Sequence, residues 1–265
     1  MMTTRQAPRS GGRGRGGPAR RPGGGEARGP AEGRVVLYGW HPVSEALRNP
    51  GRALHRLLAT ENAALRLAEE VGALRIAPEI VRPSAINGLL GPDAVHQGLY
   101  LEAEPLEGPD FDSLPDDAVL LALDQITDPH NVGAIVRTAA AFGVTAIVTT
   151  ARHSPAATGV MAKSASGGLE HVPLVVVRNL AEALIELGER GFTRIGLDSE
   201  ADATLDAVAP RAPLVVVLGA EGKGLRQRTR ECCDRMARIP FRGAIQSVNV
   251  SNAAAITLYA LLPRA

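Results

Sequence analysis

Leu214-Val-Val-Val-Leu218 is the most constraining stretch of this chain, an apolar run with no polar residue to face water. A strand of that kind needs cover on both faces, which points to a parallel sheet with helices on either side. The surrounding sequence repeats the theme. Strands are predicted over Ala118–Asp124, Thr145–Thr150, Thr193–Asp198 and Met236–Ile239, and helices over Asn131–Phe142, Leu180–Arg190 and Val250–Leu262. In such sheets ligands sit beyond the carboxyl ends of the strands, so chemistry is sought in the loops that follow them.

A smaller α/β unit precedes this one. Strands are expected at Ala53–Ala59 and Gly98–Ala103, helices at Asn62–Val71 and Pro83–Leu90, and a turn into a short helix at 38–47 with Pro42 or Ser44 near its start. The Pro- and Asp-rich stretch from Glu104 to Asp117 lacks periodicity and reads as a linker. The expected division is therefore a tail at 1–33, a small domain at 34–103, a linker at 104–117 and a large domain at 118–265.

The net charge of +1 over 265 residues hides a polar arrangement. Residues 1–34 hold eight arginines against Glu26 and Glu32, a local charge of +6, whereas the remainder is at −5. The Arg/Gly segment has no apolar side chains to offset the cost of ordering glycine, so it is expected to be disordered. It serves either as a solubility tail or as an arm that contacts phosphates. No apolar run approaches the length of a membrane span. The adjacent Cys232 and Cys233 offer neither a disulfide framework nor metal-ligand spacing, which suits a reducing cytoplasm.

Three loop clusters carry the polar chemistry. The first, Asp124-Gln-Ile-Thr-Asp-Pro-His-Asn-Val-Gly-Ala-Ile-Val-Arg137, opens a helix at Pro129 or Asn131. Gly133 leaves room for another chain to approach, and Arg137 lies roughly opposite the apolar stripe of Ile135, Ala139 and Phe142 at ~100° per residue. Arg137 is then either a solvated arginine or a functional cation. The second cluster, Leu218-Gly-Ala-Glu-Gly-Lys-Gly-Leu225, fails both phosphate-binding tests. Val217 and Gly224 stand where a P-loop requires Gly and Ser/Thr, and Gln227 stands where the dinucleotide fingerprint requires its third glycine. Glu221 would also repel a phosphate. The loop is either a plain tight turn or a cradle for a neutral or cationic ligand. In the third cluster, Ser247, Asn249, Ser251 and Asn252 precede an alanine-rich helix, more polar groups than one cap requires. Without a nucleophile–base pair, they suggest positioning rather than covalent catalysis. His41, His55, His96, His130, His153 and His171 show no metal-ligand pattern, so no metal is expected.

Taken together, the clusters resemble the three motifs of the SpoU (TrmH-type) RNA ribose 2′-O-methyltransferases, in order and spacing: Asn131-x-Gly133 with Arg137, then Leu218–Leu225, then Ile239-Pro-Phe-Arg-Gly with Ser247–Ser251. The segment Lys163-Ser-Ala-Ser-Gly-Gly-Leu-Glu-His-Val-Pro173 resembles the family's mid-domain stretch. Tyr38-Gly-Trp-His-Pro-Val-Ser-Glu-Ala-Leu47 and His96-Gln-Gly98 resemble the ends of the L30e-like RNA-binding domain carried by bacterial 23S rRNA guanosine methyltransferases of this family. Val248 and Asn252 depart from the commoner leucine and valine.

The resemblance implies an α/β SPOUT trefoil-knot methyltransferase domain behind a small L30e-like domain, with S-adenosylmethionine bound in the knot. Knots are rare exceptions to ordinary topology, and periodicity never reveals one. It implies a homodimer acting on RNA, with Leu218, Gly219, Ala220, Ile239 and Val248 at the cofactor. It implies catalytic roles for Arg137, Asn131, Glu221, Ser247 and Asn249. Arg137 would stabilise charge and orient a phosphate, Asn131 would orient Arg137 or the ribose, and Glu221 would pair with Arg137. The alternatives are a tRNA ribose methyltransferase and a non-catalytic, ribosome-associated RNA-binding protein.

Overall fold

The computed structural model describes residues 33–151, 159–208 and 212–262. The Arg/Gly run up to residue 32 and His153 lie outside them.

The first unit is a four-stranded sheet. Its elements are β1 (Val35–Tyr38), α1 (Trp40–Arg48), β2 (Leu54–Ala59), α2 (Glu61–Val71), β3 (Glu79–Ile80), α3 (Pro83–Leu90) and β4 (Leu99–Ala103). The strands run in the order β1-β4-β2-β3, with β4 antiparallel to β1 and β2, and β3 parallel to β2. Every residue of β4 is buried, as an inner strand requires. Trp40, Val43 and Leu47 recur at helical spacing and seal α1 onto the sheet. The helix starts at Trp40 after Gly39, not at Pro42 or Ser44, which lie inside it. β1 escaped the sequence reading because it is short and half-buried.

The second unit comprises β5 (Val119–Asp124), α4 (Pro129–Ala141), β6 (Ala146–Thr150), α5 (Gly159–Ala165), β7 (Leu174–Val177), α6 (Leu180–Glu189), β8 (Thr193–Leu197), β9 (Ala203–Thr204), β10 (Leu214–Gly219), α7 (Gln227–Glu231), β11 (Arg235–Arg238) and α8 (Val250–Leu261). Its seven strands lie in the order β7-β6-β5-β10-β8-β11-β9, each pair parallel. The apolar run of β10 lies at the centre and serves two cores. Leu214, Val216 and Leu218 point to one face, with α4, α5 and α8. Val215 and Val217 point to the other, with α6. Burial of each such side chain contributes about 1.5–3 kcal/mol.

Capping explains the helix boundaries. Asp128, not Asn131, caps α4, its carboxylate accepting the His130 amide at 3.0 Å, so the helix begins at Pro129. Asn179 caps α6 through the Ala181 amide. α5, β7 and β9 were not anticipated, being short and without clear periodicity. The stretch 104–117 packs closely: Leu114 is buried with Phe111 beside it against the second core, and Gly108 lies against the Leu174 carbonyl.

Candidate active site

The loops after β5, β10 and β11 converge at the carboxyl edge of the sheet, where two clefts open side by side. The first, about 890 Å³ with the solvent in its mouth included, lies between the ends of β8, β10 and β11 and the segment 246–250. Leu218, Gly219, Ala220, Ile239, Ser247 and Val248 all line it. The second lies between Gln125–Asp128, Asn131 and Lys223. Ala220, Glu221 and Val250 face both, so they form a common wall.

That wall is tied by hydrogen bonds joining all three sequence clusters. The Asn249 side-chain amide donates to Glu221 Oε1 at 2.7 Å and to Asn131 Oδ1 at 2.9 Å. The same Glu221 oxygen accepts the Val250 amide at 3.1 Å. Asn249 Oδ1 accepts both the backbone amide and the hydroxyl of Ser251, which caps α8. Asn249 is thus a cap and a bridge at the same time.

Arg137 stands apart. It is exposed on α4, about 9 Å along the helix axis from Asn131 and ~240° around it. It lines neither cleft and has no hydrogen bond or ion pair among the described residues. The expected Glu221–Arg137 pair is not formed within one chain; Glu221 Oε1 instead accepts from Asn249 and Val250. Asn131 makes no hydrogen bond to Arg137 within one chain; its side-chain oxygen accepts from Asn249. His130 Nδ1 lies 3.2 Å from the Ser164 hydroxyl, a contact between helices rather than into a cleft.

Two contributors went unnoticed in the sequence. The Asp124 carboxylate is fully buried at the end of β5 and accepts the Arg226 amide at 2.9 Å and Nε at 2.7 Å, which pins the far end of the glycine loop. A charge at the end of an apolar strand was the available signal, because a buried charge requires a partner. Gln125 follows with a φ of 60°, in the left-handed region that a non-glycine residue rarely occupies.

The first cleft offers backbone groups, apolar walls and the hydroxyls of Ser199 and Ser247, with Asp198, Glu221 and Arg238 as its charged side chains. It has no cluster of basic groups for a phosphate chain. This donor set fits a nucleoside joined to an amino acid through a sulfonium. Among the described residues, no group of three or more His, Cys, Asp or Glu side chains could hold a metal, and no helix is long and apolar enough to cross a membrane.

Comparison with known proteins agrees with this donor set. The model of the SpoU rRNA Methylase family matches residues 118–259, and that of the RNA 2′-O ribose methyltransferase substrate-binding domain matches residues 36–109. A 23S rRNA (guanosine-2′-O-)-methyltransferase RlmB from Ralstonia nicotianae is 37% identical over 236 residues, covering 84% of this chain and 93% of the relative. An uncharacterized tRNA/rRNA methyltransferase of Mycobacterium avium is 38% identical over 255 residues, covering 91% and 79%. The SpoU methyltransferase AviRb from Streptomyces viridochromogenes, crystallised with AdoMet, shares the fold with a TM-score of 0.72 at 24% identity, over 86% of this chain and 89% of that one.

Proposed function

The chain belongs to the SpoU rRNA methylase family, and on that premise we propose that it methylates the ribose 2′-hydroxyl of a guanosine in 23S rRNA, using S-adenosylmethionine. The observation that carries this reading is the Asn131–Asn249–Glu221 bridge in the wall between a cleft suited to the cofactor and a polar cleft open to a ribose.

S-adenosylmethionine supplies an electrophilic methyl group on a sulfonium. Leu218, Gly219, Ala220, Ile239 and Val248 would hold it, largely through backbone groups. A ribose hydroxyl is a poor nucleophile at neutral pH, so the protein must align it and stabilise the charge that develops on its oxygen. Asn131 and Asn249 fix the wall, Glu221 holds Asn249 in place, and Ser247 serves at the rim. Arg137 acts as a fixed charge that orients the neighbouring phosphate and stabilises the oxygen. Its distance from the cleft of its own chain supports a homodimer, in which Arg137 of one copy serves the cleft of the other. Ile256 and Tyr259, 39% and 55% exposed on α8, offer apolar area for that contact. The unbridged Cys232 and Cys233 suit a cytoplasmic enzyme.

The deciding experiment maps ribose methylation at nucleotide resolution in RNA from a deletion strain. Loss at one guanosine of 23S rRNA is expected. Loss confined to tRNA would establish instead a tRNA ribose methyltransferase.

A further inference from the structure

The segment Lys163-Ser-Ala-Ser-Gly-Gly-Leu-Glu-His171 takes no part in either cleft, yet it lies wedged between the two units. α5, which carries its first residues, belongs to both cores. Met161 and Ala165 are buried with the large sheet, and Ala162 with the small one. Lys163 Nζ reaches into the small unit, donates to the Val95 carbonyl at 2.7 Å, and lies 5.8 Å from the centre of the Tyr38 ring. The socket is open because residue 39 is glycine, with a φ of 85°: a Cβ there would stand 2.5 Å from the ammonium. Gln97 Oε1 closes the socket by accepting the Trp40 amide at 2.8 Å. Burial holds the Lys163 pKa below the ordinary lysine value.

The other side of the wedge presses on α4. A Cβ at Gly133 would stand 2.5 Å from the Met161 carbonyl, and Ser164 meets His130. Gly167 and Gly168 are consecutive spacers facing opposite ways. A Cβ at Gly167 would stand 2.5 Å from Glu45 Cγ on α1, and one at Gly168 would stand 3.2 Å from the Arg137 Cα on α4. Asn49 donates to Glu170 at 2.7 Å, and His171 lies 2.8 Å from Glu45, so further contacts tie α1 to the wedge.

We propose that Lys163 is a positioning residue for methyl transfer: seated in the Gly39–Val95–Gln97 socket, it holds the small unit in register with the helix that carries Asn131 and Arg137, and so sets which ribose reaches the cleft. The proposal rests on the RNA methyltransferase reading above. Lys163 touches neither cleft and acts only through docking.

The test compares full-length wild type with Lys163→Met on in vitro transcribed 23S rRNA. The charge is lost while most of the stem remains. Misplacement of about 1 Å costs up to roughly 100-fold in rate, so kcat is expected to fall at least about tenfold. RNA affinity and cofactor stoichiometry should hold, and methylation should spread to neighbouring riboses. Simple loss of folded protein would lower cofactor stoichiometry along with kcat. Gly39→Ala attacks the same contact from the other side, so the double variant should be no slower than the slower single variant. Wild-type kcat with unchanged site choice in Lys163→Met, or multiplicative effects in the double variant, would overturn the proposal and leave the methyltransferase reading intact. A wild-type protein inactive on every RNA would overturn both.

Discussion

At the residue scale, the site is built from side chains that each answer a local need and a shared one. Asn249 caps α8 with its oxygen and ties Asn131 to Glu221 with its nitrogen. Arg137 is the contrasting case, an exposed cation with no partner among the described residues of its own chain. Replacing it with alanine should remove a charge needed only as the oxygen becomes anionic. Turnover is expected to fall by at least about 10²–10³-fold while cofactor affinity changes only a few-fold, as single-turnover rates and calorimetry would report. Wild-type turnover in Arg137→Ala would remove arginine from the mechanism.

At the scale of elements, the decisive arrangement is a glycine loop held at both ends. Glu221 fastens it to the start of α8, and Asp124 fastens its far side to the end of β5 through Arg226. Asp124→Asn keeps the shape but sets an amide donor among the Arg226 donors. A loss of about 1–3 kcal/mol is expected, read as a lower thermal midpoint together with weaker cofactor binding. An unchanged midpoint would show that the loop holds without this pair. Much of this level was legible in the chain. The Leu214–Leu218 run could only be an inner strand, and the polar clusters of the three loops stood out from their apolar surroundings. Their mutual bonds were not legible, because the path of residues 239–250 past the glycine loop sets them, and no periodicity encodes that path. α5 was missed for a related reason. Its residues divide between two cores, so no single apolar stripe marks it.

At the scale of the whole molecule, ion pairs make stability depend on pH. The Arg56 guanidinium beside Glu79, and that of Arg194 beside Asp234, hold both carboxylates below their usual range. Groups lowered in this way stabilise the fold above the unfolded-state pKa, and the contribution is lost as pH falls through the folded value. Burial also holds the His96 pKa below its ordinary value, so the melting midpoint should begin to decline below about pH 6 and fall more steeply below about pH 4. Asp234→Asn should make that fall shallower, and an identical slope would remove the pair from the acid transition. Both carboxylates are partly solvated, so each effect is small. The Arg/Gly tail lies outside the described residues. Deleting residues 1–33 is expected to weaken RNA binding and flatten its dependence on salt, since each arginine at a phosphate releases a counterion. An unchanged salt slope would leave only the solubility role.

Because α5 is built into both cores, the boundary that matters for engineering is not the acidic stretch where the chain looks easiest to cut. A chimera that grafts another recognition unit onto this sheet at residues 104–117 would strand Ala162 and Lys163 without their hosts. Exchange of specificity between relatives would have to carry the 159–171 wedge along with the head it was shaped to fit.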